Sequence, residues 1–130
     1  MKILIIEDED VMLKTLTEKF TNEKFEVLTA QDGENGLKIA LDHRPDIILL
    51  DIILPRMDGM TMLNKLRHTN AWGEKVPVVL LTNLNADDEI MKGVIENEPA
   101  FFLLKSNWTL EGVVKKVNER LARENLITNS

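Results

Sequence analysis

Four short runs of apolar residues constrain the fold of this chain more than any other feature. They cover residues 3–6, 47–50, 76–81 and 101–104, and each has the length of a β-strand. Nearly uninterrupted apolar runs of this length are typical of parallel strands that are covered on both faces of a sheet. A fifth segment, residues 25–29, mixes polar with apolar residues and predicts an edge strand.

Helical patterns lie between these runs. The clearest stripe of apolar residues at helical spacing is Leu110, Val113, Val114, Val117 and Leu121. Four further stripes are Leu13 with Leu16 and Phe20, Leu37 with Ala40 and Leu41, Met62 with Leu63 and Leu66, and Ile90 with Val94. The expected N-cap residues are Asp10, Asp32, Asp58 and, for the last helix, Asn107 or Thr109.

A strand followed by a helix, five times over, predicts the fold class. Such alternation implies a parallel sheet with right-handed crossovers. We expect an α/β, flavodoxin-like (βα)5 three-layer sandwich with strand order 2-1-3-4-5. The 130 residues suit one domain, here residues 1–124, followed by a short C-terminal tail at 125–130.

Charge and cysteine content narrow the classes of function. The chain holds 22 acidic and 16 basic residues, a net charge of −6, which repels nucleic acid and anionic membranes. It has no Cys, and its first apolar run ends in acid after too few residues for a secretory signal. We therefore expect a soluble, cytoplasmic protein that binds neither nucleic acid nor membrane directly.

Chemically active residues follow four of the five predicted strands. The first strand ends in Glu7 and Asp8, the third in Asp51, the fourth in Thr82 and the fifth in Lys105. The carboxyl ends of parallel strands meet at one edge, where ligands bind in folds of this class. Converging carboxylates repel one another unless a cation neutralises them, and Mg²⁺ suits an all-oxygen set. A carboxylate, a hydroxyl, an ammonium and a metal together suit phosphoryl transfer.

Each of these residues also has a plainer interpretation when taken singly. The segment 7–10 reads as a solvated acidic turn, Asp51 as a turn residue, and 82–85 as a polar loop. Lys105 alone is most simply a surface lysine. The remaining candidates are most simply packing or solvated residues, and neither histidine has other metal-ligating residues at a suitable spacing. They are Trp72, Trp108, His43, His68, Met57, Met60 and Met62.

The residues in combination resemble a response-regulator receiver domain of two-component signalling. The resemblance covers nearly the whole chain and rests on Glu7-Asp8, Asp51 with Pro55 and Asp58-Gly59, Thr82, Phe102 and Lys105. It implies that Asp51 is the phosphoacceptor and that Mg²⁺ is held by Glu7, Asp8, Asp51 and the backbone carbonyl of Ile53. It also implies that Lys105 and Thr82 contact the phosphoryl group.

The resemblance extends to switching and partners. Thr82 and Phe102 would move on phosphorylation and alter the helix 4–strand 5–helix 5 face, where helix 4 is the helix predicted around Ile90 and Val94. The phosphoryl donor would be a histidine kinase or phosphotransfer protein. The output would be a downstream protein target, with a homodimer through the same face as a further option. The domain would be no enzyme beyond self-phosphotransfer and autodephosphorylation.

Several positions depart from the usual family pattern. Glu7 replaces Asp, Asn83 replaces a small residue, 97–100 replaces Gly-Ala-Asp, and Ser106 follows Lys105 in place of Pro. Because a non-proline cis bond costs about 2.5–4 kcal/mol, the Lys105–Ser106 bond is expected to be trans with a reshaped loop, or a strained cis bond. These departures leave open a receiver-like interaction module that does not switch.

Two enzyme-like alternatives fit less well. A Mg²⁺-dependent phosphatase with an aspartyl nucleophile would place a second carboxylate two residues after Asp51, where the sequence has Ile53. Flavin binding is disfavoured because the first strand–helix loop is acidic and would repel the phosphate of FMN.

Overall fold

A five-stranded parallel sheet forms the centre of the fold. The structure is a computed structural model that describes residues 1–82, 101–104 and 109–129, with side chains over 1–81 and 109–123. The strands are β1 (Lys2–Ile6), β2 (Glu26–Ala30), β3 (Ile47–Leu50), β4 (Val78–Thr82) and β5 (Phe101–Leu104). They lie in the order β2-β1-β3-β4-β5, and every neighbouring pair is parallel. The predicted α/β fold and strand order are confirmed.

Five helices connect or follow the described strands. They are α1 (Asp10–Asn22), α2 (Gly33–His43), α3 (Gly59–Thr69), the one-turn α4 (Ala71–Lys75) and α5 (Leu110–Asn129). The helix predicted around Ile90 and Val94 lies outside the described residues and is not α4. The last helix continues into segment 125–130, and the domain boundary at 124 stays a prediction. No helix within the described ranges combines the length and hydropathy that crossing a membrane requires.

The alternation of side chains along each strand divides the core into two layers. Leu4 and Ile6 face one side of the sheet, where they pack with residues of α2 and α3. Ile3 and Ile5 face the other side and pack with residues of α1 and α5. All four side chains are at most 1% exposed, which explains why β1 reads as a continuous apolar run.

Three of the predicted caps are present, and one is wrong. Asp32, Asp58 and Thr109 accept the backbone N–H groups of Asn35, Thr61 and Gly112 at 2.7, 2.8 and 3.0 Å, respectively. Asp10 is the first residue of α1 rather than its cap, a position occupied by Glu9 without a side-chain cap bond. An acid in the first turn still stabilises the helix dipole, and the Asp10 carboxylate accepts a hydrogen bond from Gln31.

Lys19 connects α1 to α5 on the surface. Its ammonium contacts the Glu111 carboxylate and lies 3.4 Å from that of Glu23. The hydrogen bond to Glu111 is the largest influence and raises the pKa of Lys19. Because the pKa of Lys19 is raised on folding, the stabilisation from this contact is fully present below the pKa of free lysine. It is lost as the pH rises through the raised pKa.

We predict that Gly36→Ala destabilises the domain through a clash with Ile6. A Cβ at position 36 would lie 2.6 Å from Ile6 Cδ1, so α2 packs on β1 with no room for a methyl group. Overpacking destabilises by about 1–3 kcal/mol. Replacing a glycine by alanine inside a helix stabilises by roughly 0.5–1 kcal/mol, which is less. Urea unfolding measures the loss.

The clash predicts that the losses in unfolding free energy are not additive. Ile6→Val removes the Cδ1 atom, so the double variant is expected to lose less unfolding free energy than the sum of the losses in the two single variants. Gly112→Ala is the matched control, because the nearest atom to its new Cβ is the hydroxyl oxygen of exposed Thr109 at 3.2 Å. Additive effects of Gly36→Ala and Ile6→Val would contradict this packing.

Candidate phosphoryl-acceptor and metal site

The hydrogen-bond ladder of the sheet places Glu7 and Asp51 side by side. The last residues of β1 and β3, Ile6 and Leu50, are paired in register. The ladder then continues one residue further, since the Asp51 N–H donates to the Ile6 carbonyl at 3.1 Å. On the other side of β1, the Glu7 N–H donates to the Ala30 carbonyl at 3.0 Å. The backbone at both acidic residues is therefore held by the sheet.

Three carboxylates gather at this edge. Glu7, Asp8 and Asp51 each offer an oxygen, and these oxygens lie within 4.8 Å of one another. Glu7 and Asp51 are 2% and 5% exposed, whereas Asp8 is exposed to solvent. The structure thus brings together the three side chains that the sequence predicts as metal ligands, with two of them buried.

This donor set fits a hard divalent cation. Neighbouring oxygens on an octahedral Mg²⁺ at about 2.0–2.1 Å lie about 3 Å apart, so the three carboxylates would need to move closer together by up to about 2 Å to share one ion. The exposed side at Asp8 leaves access for the water ligands that Mg²⁺ retains. The other two acids of the run 7–10 serve α1 instead, as its N-cap residue and its first residue.

The loop after Asp51 is closely packed against α3. The Ile53 N–H lies 3.3 Å from Asp51 Oδ1, and the Gly59 N–H donates to the Ile52 carbonyl at 2.7 Å. A Cβ at Gly59 would lie 2.3 Å from the Asp51 carbonyl oxygen, so only glycine allows the helix to begin this close to Asp51. The Ile53 side chain is 58% exposed. The role of its carbonyl as a metal ligand stays a prediction.

A tight turn at Arg56 lies within this loop and was not evident from the sequence. The Met57 N–H donates to the Pro55 carbonyl at 2.7 Å, and Arg56 between them has a φ of 65°. A non-glycine residue in this region costs on the order of 1–3 kcal/mol, and three-residue turns with a positive central φ are rare. Pro55 signals a turn here, but nothing in the sequence indicates the sign of φ at Arg56.

The other predicted site residues are located only through the backbone. Thr82 is the last residue of β4 and pairs with Leu104, the last residue of β5. Phe102 pairs with Leu80 inside the sheet. Lys105 follows β5 directly in the chain but lies outside the described residues, as does the predicted Lys105–Ser106 bond. Their roles stay predictions.

Comparison with known proteins identifies the family. The family model for the response regulator receiver domain matches residues 3–118. The chain belongs to the response regulator receiver domain family. Its fold agrees, since the receiver domain resembles the beryllofluoride-activated N-terminal receiver domain of RstA from Klebsiella pneumoniae with a TM-score of 0.81. That alignment covers 93% of this chain and 98% of the other at 26% identity.

Two further comparisons characterise the receiver domain. It is 37% identical over 92 residues to the transcriptional regulatory protein AfsQ1 of Streptomyces coelicolor, covering 71% of this chain and 39% of the relative. It therefore spans well under half of that relative. The receiver domain of the sensor histidine kinase PA1611 from Pseudomonas aeruginosa, solved with a magnesium ion in its active site cleft, has a TM-score of 0.83. At 23% identity, over 93% of this chain and 97% of the other, this match supports the fold alone.

We predict that Asp51→Asn stabilises the receiver domain in the absence of divalent metal. The amide keeps the size of the side chain and removes one of three mutually repelling charges. The midpoint of thermal unfolding in EDTA is expected to rise by about 2–6 °C, equivalent to about 1 kcal/mol. Adding Mg²⁺ should stabilise the wild type by mass action, by about 2.7 kcal/mol at 100 times Kd, and the variant much less.

Asp42→Asn is the control for that measurement, because Asp42 is an exposed carboxylate on α2 away from the cluster. Its thermal midpoints in EDTA and in Mg²⁺ should equal those of the wild type. A lower midpoint for Asp51→Asn in EDTA, together with an undiminished response to Mg²⁺, would refute the charge cluster.

Proposed function

We propose that this receiver domain accepts a phosphoryl group on Asp51 in a Mg²⁺-dependent reaction and passes the signal on through its surface. The observation that carries the proposal is the cluster of Glu7, Asp8 and Asp51 at the carboxyl edge of the sheet, with oxygens within 4.8 Å of one another. The family match and the sheet order support the same assignment.

The chemistry is displacement at phosphorus by the Asp51 carboxylate. One carboxylate oxygen forms a bond to phosphorus as the bond from phosphorus to the donor nitrogen or oxygen breaks, and the leaving group takes that electron pair. The product is an acyl phosphate on Asp51. Positioning matters most in such a reaction, and the bond from the Asp51 N–H to Ile6 fixes the backbone of the nucleophile.

The metal would be held by Asp8, Asp51 and the carbonyl of Ile53, with Glu7 binding directly or through water. When bound, Mg²⁺ neutralises charge on the carboxylates and on the phosphoryl oxygens. Glu7 has one more methylene than the Asp usual at this position, so its carboxylate reaches further from the same backbone. Its side chain is buried, with 2% exposure.

Thr82 and Lys105 complete the proposed site. Thr82 is the last residue of β4, which adjoins β3, and Lys105 directly follows β5, which adjoins β4. Thr82 would donate its hydroxyl to a phosphoryl oxygen, and Lys105 would pair its ammonium with another. Phosphorylation adds about −1.5 to −2 charges, which favours a state with both side chains close. Phe102 would change rotamer with Thr82 and alter the helix 4–strand 5–helix 5 face.

The partners follow from the family. A histidine kinase or phosphotransfer protein would supply the phosphoryl group, and a downstream protein or a second copy would bind the switched face. AfsQ1 is a transcriptional regulatory protein, and the aligned region is 39% of it. We propose that this domain likewise acts through a further domain or protein. A phosphatase is disfavoured, because the residue two positions after Asp51 is the exposed Ile53 rather than an acid.

We predict that acetyl phosphate with Mg²⁺ adds one PO₃ unit to the wild type. Intact-mass spectrometry should detect the adduct, and EDTA should abolish it because the charges at the site are then not neutralised. Asp51→Asn should remove the adduct completely, and Asp42→Asn should retain it. An unlabelled wild type, under conditions that label another receiver domain, would favour the interaction module that does not switch.

A second prediction concerns Lys105. Lys105→Ala should leave Mg²⁺ affinity within about twofold, because the lysine is not a metal ligand, and should lower the labelling rate by about 10- to 100-fold through lost charge stabilisation. Lys105→Arg should recover little, since a planar guanidinium does not replace a compact ammonium. Calorimetry and timed mass spectra measure the two effects. Equal loss of metal affinity and rate would overturn the role assigned to Lys105.

A further inference from the structure

The loop that carries Asp51 and Ile53 is packed against the beginning of α2. A Cβ at Gly33 would lie 1.8 Å from the Met57 carbonyl oxygen, so the first residue of α2 lies directly on the loop backbone. At the other end of the loop, a Cβ at Gly59 would lie 2.3 Å from the Asp51 carbonyl oxygen. The segment 51–58 is therefore enclosed between the amino-terminal ends of two helices.

Asp32 adds a charged contact to this packing. Its side chain is 10% exposed and accepts the Asn35 backbone N–H at 2.7 Å and the Asn35 side-chain amide at 2.8 Å. Its Oδ2 also lies 3.7 Å from the guanidinium of Arg56. A nearly buried carboxylate that already caps α2 thus lies beside Arg56, the residue of the 51–58 loop whose backbone has a positive φ.

We propose that Arg56 is a positioning residue, held by Asp32, that keeps the 51–58 loop in the conformation the metal and phosphoryl chemistry requires. The inference rests on the proposed function. A positive φ at a residue other than glycine persists only when its surroundings enforce it. Pro55, the Gly33 contact and the Asp32–Arg56 ion pair are the restraints nearest to Arg56 among those described for this loop. Arg56 itself is 67% exposed, so the ion pair is a modest restraint.

The test measures the stability of the loop without metal and the affinity of the site for metal. Arg56→Gln removes the positive charge of the ion pair, on the loop. Asp32→Asn removes the negative charge, on α2, and keeps a good capping residue; an amide flip of Asn35 preserves the side-chain hydrogen bond between residues 32 and 35. Arg44→Gln is the matched control, because Arg44 also has a positive φ, 45°, at the opposite end of α2 and stacks over Trp72.

The first readout is amide hydrogen exchange in EDTA at Ile53, Met57 and Gly59, whose N–H groups are all bonded within the loop. Each single variant should speed exchange there by about two- to fivefold, as expected for an exposed ion pair. The double variant should match the singles, while β1 and β3 amides and the Arg44→Gln control should not change. Arg56→Lys should restore part of the protection.

The second readout is Mg²⁺ affinity by calorimetry, which should weaken by about two- to fivefold in both single variants. Unchanged loop exchange in both single variants would overturn the proposal. An effect of Asp32→Asn without one of Arg56→Gln would also overturn it, because Asp32 would then act only as a helix cap. Additive effects in the double variant would also overturn it. A wild type that binds no Mg²⁺ would refute the proposed function, and the exchange data would still decide the role of Arg56.

Discussion

The parallel hydrogen bonds between β1 and β3 are the constraint on which the site depends. They carry the register one residue past each strand, so Glu7 and Asp51 leave the sheet as neighbours. Two buried carboxylates this close repel each other, and a bound cation would offset that repulsion. The apolar core on both faces of the sheet supplies the stability that offsets this local conflict.

Glycines at the helix starts determine how closely the helices approach the site. Gly59 brings α3 against the Asp51 carbonyl, and Gly33 brings α2 against the Met57 carbonyl. Both follow an Asp that caps the helix, so the same dipeptide ends the loop and begins the helix. The loop thereby combines hydrogen-bonded restraint with access to solvent at Ile53, which is consistent with the proposed reaction at Asp51.

The sequence predicted the sheet and the acidic cluster because both depend on local signals. Strands buried on both faces read as apolar runs, and the acids follow those runs directly. The assignment of Asp10 as a cap was wrong because Asp is a preferred cap residue, whereas the backbone places Glu9 at the cap position and Asp10 in the first turn. The five-residue α4 is too short for a periodic pattern. The turn at Arg56 and the contact of Gly33 depend on segments that only the folded chain brings together.

A crystal structure with Mg²⁺ and beryllofluoride tests the central claim most directly. The account predicts one ion ligated by Asp8, Asp51 and the Ile53 carbonyl, with Glu7 beside it, and beryllofluoride on Asp51 in contact with Thr82 and Lys105. An ion bound elsewhere, or a Lys105 ammonium directed away from Asp51, would contradict it.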